Sequence, residues 1–264
     1  MPRRHKQAEA AFALALTISL LACNLPFGGI LLYPVKLLAT WFHELSHGIM
    51  MLLTGNGFDR MLLYADTSGL AFADQKAGPV ASAFIIAAGY GGTPLLGAGL
   101  LVATPTRAAA RRSLAILATV ILATTWLLVA NTFGLIALTA IGAGIALLGL
   151  ILPARLRLLA LQLVAAQACV NALLDIRVLF SSAMVINGVP SGDSDATAMA
   201  RIVFATDAAW AQTFWAVAWL LWSLAILFLA LRWVAQQQRT AESMRLAAHS
   251  PSAADTHDTE PPHA

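Results

Sequence analysis

Charge is what this sequence has least of. Only 11% of its 264 residues are charged while 59% are hydrophobic, whereas about a quarter of a soluble globular domain is charged. Together with a mean hydropathy of +0.75, this excludes a water-soluble fold and points to a chain that crosses a lipid bilayer several times. Cysteine is scarce as well. Cys23 and Cys169 each lie in an apolar stretch, where a thiol usually packs as a small hydrophobe, so no disulfide framework is expected. The net charge of +3 comes from arginine clusters at segment ends, a pattern suited to lipid headgroups; no motif for reading nucleic acid is present.

Against that apolar background one stretch stands out, Trp41-Phe42-His43-Glu44-Leu45-Ser46-His47-Gly48. It contains H-E-x-x-H and lies inside an apolar run from about Gly29 to Leu53, long enough to span a bilayer. With six His and four Glu in the chain, roughly 0.002 chance matches to this motif are expected. On a helix, His43 and His47 project from one face about 6 Å apart along the axis, so two neutral imidazoles reach one metal ion. Glu44 is rotated by about 100° from His43, poorly placed as a third ligand but well placed to hold a water. A carboxylate buried in hydrocarbon is costly without a partner, and ionisable groups at that depth mark functional sites.

The rest of the chain reads as further membrane segments. Arg3, Arg4 and Lys6 precede a first apolar helix from about Ala8 to Asn24, and Pro26, Gly28 and Gly29 turn it into the motif helix. After Thr54-Gly55-Asn56-Gly57, the stretch Phe58 to Asp74 predicts two short strands around Asp66-Thr67-Ser68-Gly69, or an interfacial loop. A third apolar segment, about Gly78 to Val102, is interrupted by Gly89-Tyr90-Gly91-Gly92-Thr93-Pro94, which predicts a kink or re-entrant bend; its small residues, Ala88 and Gly92 at four-residue spacing, also suit close helix packing or a wall beside the catalytic cleft. Segments from about Leu114 to Asn131 and Phe133 to Leu152 form a helical hairpin without ionisable groups. The helix from about Leu156 to Phe180 carries Asn171 and Asp175 on one face. The polar stretch Ser181 to Ala209 predicts a loop with a short helix capped by Ser194 or Asp195, followed by a last membrane helix from about Trp210 to Trp233. The expected fold is all-α and polytopic, with about seven transmembrane helices and a hairpin-like insertion after the motif helix. Residues 1–235 form the membrane domain and residues 236–264 a disordered polar tail.

A hydrolytic zinc site needs three protein ligands and leaves one position for water. Asp175 is the candidate third ligand. Three complete spans separate the motif helix from the helix carrying Asp175, so the even number of crossings returns that carboxylate to the side of the bilayer on which the motif helix ends. Asp193 and Asp195, in the loop that follows, are the alternatives. Zn²⁺ with two neutral His, one Asp and an ionised Glu44 sums to zero charge, which is far cheaper to bury than its parts.

The motif Phe42-His43-Glu44-Leu45-Ser46-His47-Gly48, Leu53-Thr54-Gly55 after it, Ala88-Gly89-Tyr90 and the distal Asn171 to Asp175 pair together resemble the site-2 protease family of intramembrane zinc metalloproteases, in its M50B-like branch. The resemblance covers about Pro34 to Asp207 and is most specific at H-E-x-x-H. It implies a multi-pass protein of the cell membrane with zinc on His43, His47 and a distant Asp, and Glu44 as general base. Its substrate would be a membrane protein whose spanning segment is unwound before it is cut. Family members typically place the third ligand in Asn-Pro-Asp-Gly; this chain has Asn171-Ala172-Leu173-Leu174-Asp175 instead. The competing reading is a catalytically silent membrane protein that keeps the fold and binds a partner, and the intact Glu44 argues against it.

Overall fold

The computed structural model describes residues 27–103, 107–174, 185–186, 189–190 and 193–249, with positions 14, 17 and 21 in isolation. The expected first helix, 8–24, lies almost wholly outside the described residues. A short helix α1 (Gly28–Leu31) leads into the motif helix α2 (Tyr33–Leu53), which has Pro34 in its first turn, where the absent N–H costs no helical hydrogen bond. Gly55 and Gly57 end α2 at φ values of 75° and 71°, a backbone conformation that side chains disfavour. The α2 face that carries the motif is buried, and so are Leu38, Trp41, Phe42 and Leu45 around it.

The insertion after α2 is a hairpin. Strands β1 (Arg60–Leu63) and β2 (Gly69–Phe72) pair antiparallel from Arg60↔Phe72 to Leu63↔Gly69. Its turn is closed by Asp66, whose carboxylate accepts hydrogen bonds from the backbone N–H and hydroxyl of Ser68. The two edges of the hairpin differ. Met61 of β1 bridges to Val129, Ala130 N–H donates to Met61 O, and the Asn131 amide bonds both the N–H and the C=O of Leu63. Among the described residues, no strand pairs with the outer edge of β2.

Helix α3 (Pro79–Ala103) is continuous through Pro94 and does not re-enter. The flanking apolar turns keep a single helix despite the missing donor, because neighbouring helices pack along its length. The tight pair α4 (Arg107–Leu128) and α5 (Thr132–Ile151) forms the expected hairpin, drawn close at Gly142, where a Cβ would sit 2.9 Å from Leu122. Helix α6 (Ala154–Leu174) follows, then the two-residue pair β3 (Val185–Ile186) and β4 (Val189–Pro190). The short helix α7 (Asp195–Phe204) is capped by Ser194, whose hydroxyl accepts from Thr197 N–H, as its sequence predicts. Helix α8 (Ala209–His249) runs past the expected end of the last span at Trp233, so the polar tail begins as helix. Residues 250–264 lie outside the described residues.

Among the described residues, four helices are long and apolar enough to cross a membrane: Pro79–Ala103, Ala109–Leu128, Thr132–Ile151 and Ala209–Trp233. Their outward faces carry large exposed apolar side chains, among them Trp126, Leu127, Ile136 and Phe228, as expected of surfaces facing lipid. Helices α2 and α6 are 21 residues each, about 31 Å at 1.5 Å per residue. Three core clusters hold the bundle together. The largest joins α2, β1, α3, α4, α5 and α6; a second joins α3, α6 and α8 through Ala98, Ala165 and Ala230; the third joins α3, α7 and α8 through Tyr90, Met199 and Trp219.

Candidate metal centre

The i, i+4 spacing of His43 and His47 does on α2 what it predicts. Their Nε2 atoms lie 3.0 Å apart, with the rings in an edge-to-face arrangement at a centroid distance of 4.6 Å. The Nδ1 of His47 is 2.6 Å from Ile85 O of α3. Donation from Nδ1–H to that carbonyl leaves the Nε2 lone pair of a neutral His47 facing His43, the tautomer a metal ligand requires.

Among the described residues, the carboxylate that reaches the two imidazoles belongs to Asp195, the first residue of α7. Its Oδ2 lies 3.2 Å from His43 Nε2 and 3.4 Å from His47 Nε2. Asp175, the candidate from the sequence, lies outside the described residues, as does the side chain of Asn171. Asp195 was one of the two alternatives. The other, Asp193, pairs instead with Arg201, which also binds Asp207, so one guanidinium ties the two ends of α7 together. Burial alone would raise the pKa of Asp195; attraction to His47 and hydrogen bonds with both imidazoles outweigh it and hold the carboxyl well below the usual carboxylate range.

Three ligand atoms, one each from His43, His47 and Asp195, lie within 4.8 Å of one another. Bonds of about 2.0–2.1 Å to a tetrahedral ion place neighbouring ligand atoms about 3.3 Å apart. The observed separations of 3.0, 3.2 and 3.4 Å match that spacing. The donor set, two imidazoles and one carboxylate, fits zinc and leaves a fourth position for water.

Glu44 is 5% exposed and lies close enough to His43, His47 and Asp195 to interact electrostatically with all three. Its carboxylate rests against β2, where a Cβ on Gly69 would come within 2.7 Å of Glu44 Oε1. The Thr40 hydroxyl, one turn earlier on α2, donates to Thr67 O and ties the hairpin to the same helix. Helix α3 closes another side of the centre. A Cβ on Gly89 would be 2.4 Å from His47 Nε2 and 2.6 Å from His43 Nε2, and one on Gly92 would be 2.4 Å from Ser46 Oγ. The glycine run that reads as a helix-breaker is thus a contact surface for the motif. Beyond Ser46 and Gly92, an apolar groove of about 340 Å³ opens between α2 and α3 and is bounded by Trp222 of α8, whose indole N–H donates to Gly91 O.

Sequence reasoning marked the Gly89-Tyr90 segment as packing or a wall beside the cleft but gave no reading of Ile85. Ile85 acts through its backbone carbonyl, for which a sequence carries no signal. Ser194 did carry one for Asp195: an N-cap fixes the residue after it at the start of a helix.

A bundle of apolar helices with two imidazoles and a carboxylate gathered on one of its buried faces defines a membrane protein with a metal-competent centre. The family model described as Peptidase M50B-like matches residues 10–230, and the chain belongs to that family. No curated protein and no solved structure matches the chain.

Proposed function

We propose that the protein is an intramembrane zinc metalloprotease that hydrolyses a peptide bond in or near a transmembrane segment of a membrane protein in the cell membrane. One observation carries this reading: His43, His47 and Asp195 converge at metal-ligand spacing beside a buried Glu44. His43 and His47 would hold the ion, with His47 oriented by Ile85 O, and Asp195, rather than the Asp175 expected from the sequence, would complete the set. Bound zinc supplies Lewis acidity, lowering the pKa of a water and polarising the scissile carbonyl. Glu44 takes the proton from the attacking water and passes it to the leaving amine. With α2 and α6 counted beside the four apolar helices, and an N-terminal helix before them, the chain makes about seven crossings.

The unpaired outer edge of β2 supports a mode of substrate binding. An extended peptide adds to a strand through main-chain hydrogen bonds. Since residues 129–131 already occupy the β1 edge, the peptide pairs with β2, against Gly69 and next to Glu44. The apolar groove between α2 and α3 receives the flanking membrane segment, which must unwind before its backbone can pair.

The test is zinc analysis of purified wild type, Glu44→Gln, Asp195→Ala and Asp175→Ala, coupled to cleavage of candidate membrane segments. Glu44→Gln retains zinc and loses about 10²–10⁴-fold in cleavage rate, the usual share of a general base. Asp195→Ala loses most of its zinc, while Asp175→Ala keeps it. Full cleavage by Glu44→Gln overturns the mechanism; loss of zinc from Asp175→Ala with retention in Asp195→Ala overturns the ligand set.

A further inference from the structure

The two histidines of the centre are held in different ways. His47 is fixed through Nδ1 by Ile85 O, whereas among the described residues no hydrogen bond reaches Nδ1 of His43. A metal-binding imidazole ordinarily needs such an outer contact to keep its nitrogen aimed at the ion. What His43 has instead is Tyr90: the two rings meet edge-to-face at 4.7 Å between centroids, with an interplanar angle of 80°. Tyr90 is itself held from behind, stacked on Trp219 of α8 at 5.0 Å and 18°. The same pair belongs to the small cluster that contains Ala196 and Met199 of α7, the helix that begins at Asp195. One aromatic side chain therefore touches the ring of one ligand and the packing that seats another.

We infer that Tyr90 is the positioning residue of this centre, its ring fixing His43 and, through the stack on Trp219, the docking of the Asp195 helix. The inference rests on the metal reading above and adds to it that the aromatic faces, not the phenol hydroxyl, do the positioning. Aromatic edge-to-face pairs have a preferred geometry, so the ring restricts His43 where a hydrogen bond would otherwise do so.

The experiment measures zinc affinity of the full-length protein in detergent by competition with a chromophoric chelator, together with the visible spectrum of its Co²⁺ form. The variants are Tyr90→Phe, Tyr90→Met and Trp219→Leu. Outer contacts to metal-bound histidines are worth about 10–100-fold in affinity. Tyr90→Met is expected to bind zinc about 10–100-fold more weakly and to show an altered Co²⁺ band, with Tyr90→Phe restoring both to near wild type. Trp219→Leu falls between them, and it decides the question with Tyr90→Phe should Tyr90→Met fail to fold. Wild-type affinity and spectrum in Tyr90→Met, or in a folded Trp219→Leu, overturn the inference. So does a loss in Tyr90→Phe as large as in Tyr90→Met, which assigns the role to the hydroxyl. A wild-type protein that takes up no zinc overturns the metal reading itself, a result distinct from these.

Discussion

Substituting Gly89 by alanine tests how closely α3 must approach the metal ligands. The new Cβ would stand 2.4 Å from His47 Nε2, 2.5 Å from His43 Cε1 and 2.6 Å from His43 Nε2. Ordinary contact between such atoms needs about 3.5 Å, so about 1 Å of movement is required. Either the imidazoles turn away or α3 backs off. Metal sites tolerate about 0.2 Å in ligand distance, so both responses disrupt the centre, and helix separation also breaks the His47 bond to Ile85 O. Overpacking a well-filled core costs about 1–3 kcal/mol. If that cost falls on the bound state, zinc affinity drops by about 5–150-fold, at 1.4 kcal/mol per factor of ten. Gly99→Ala is the control on the same helix, because nothing lies within 4 Å of a Cβ there. It should bind zinc as wild type does and unfold at the same temperature or higher, since alanine favours helix over glycine. Chelator competition and thermal unfolding read both variants. Wild-type zinc affinity in Gly89→Ala would refute the reasoning, because the pocket would then have room that the structure does not give it.

The hairpin offers further tests. Asn131→Ala removes both side-chain hydrogen bonds to Leu63 and should destabilise the protein by about 1–3 kcal/mol, the cost of leaving buried backbone groups unpaired. Denaturant unfolding measures this, and faster proteolysis within residues 58–74 should accompany it. Gly69→Val drives a branched side chain into Glu44 Oε1 and Thr40 Cγ2, at 2.7 and 2.8 Å from its Cβ alone. Cleavage should be lost while zinc is retained, because none of the three ligand atoms is displaced; loss of zinc instead would show that β2 also supports the metal. Arg201→Ala frees both Asp193 and Asp207. The clasp is half-exposed, so the effect on zinc affinity should be small, about threefold or less; a loss like that of Asp195→Ala would make the clasp an essential part of the site.

Much of the architecture was legible from residue pattern because a bilayer leaves few options. Apolar runs of about 20 residues must be helices, since any other backbone would leave its hydrogen bonds unpaired in lipid. That constraint gave α3 and the α4–α5 pair, while Asp66 and Gly69 gave the hairpin turn and Ser194 the cap of α7. The histidine pair was equally plain, because i, i+4 spacing on a helix is local geometry and needs no knowledge of the rest of the fold. The third ligand was not local. Counting crossings places a carboxylate on the correct side of the bilayer, but Asp175, Asp193 and Asp195 all satisfy the count. Among the described residues it is Asp195 that reaches the histidines, seated by the packing of α7 on Tyr90 and Trp219 while Arg201 holds Asp193; Asp175 lies outside those residues. The glycines of α3 were legible only in part: their sequence reads both as a break and as a place of close helix approach, and the α2 side chains pressed against Gly89 and Gly92 bear out the second. Sequence alone thus determined which histidines can share a metal and which segments are long and apolar enough to cross a bilayer, since both follow from short-range geometry and solvation. Tertiary structure brought Asp195 to the histidines and Ile85 O to His47, since those contacts join segments about 40 to 150 residues apart along the chain.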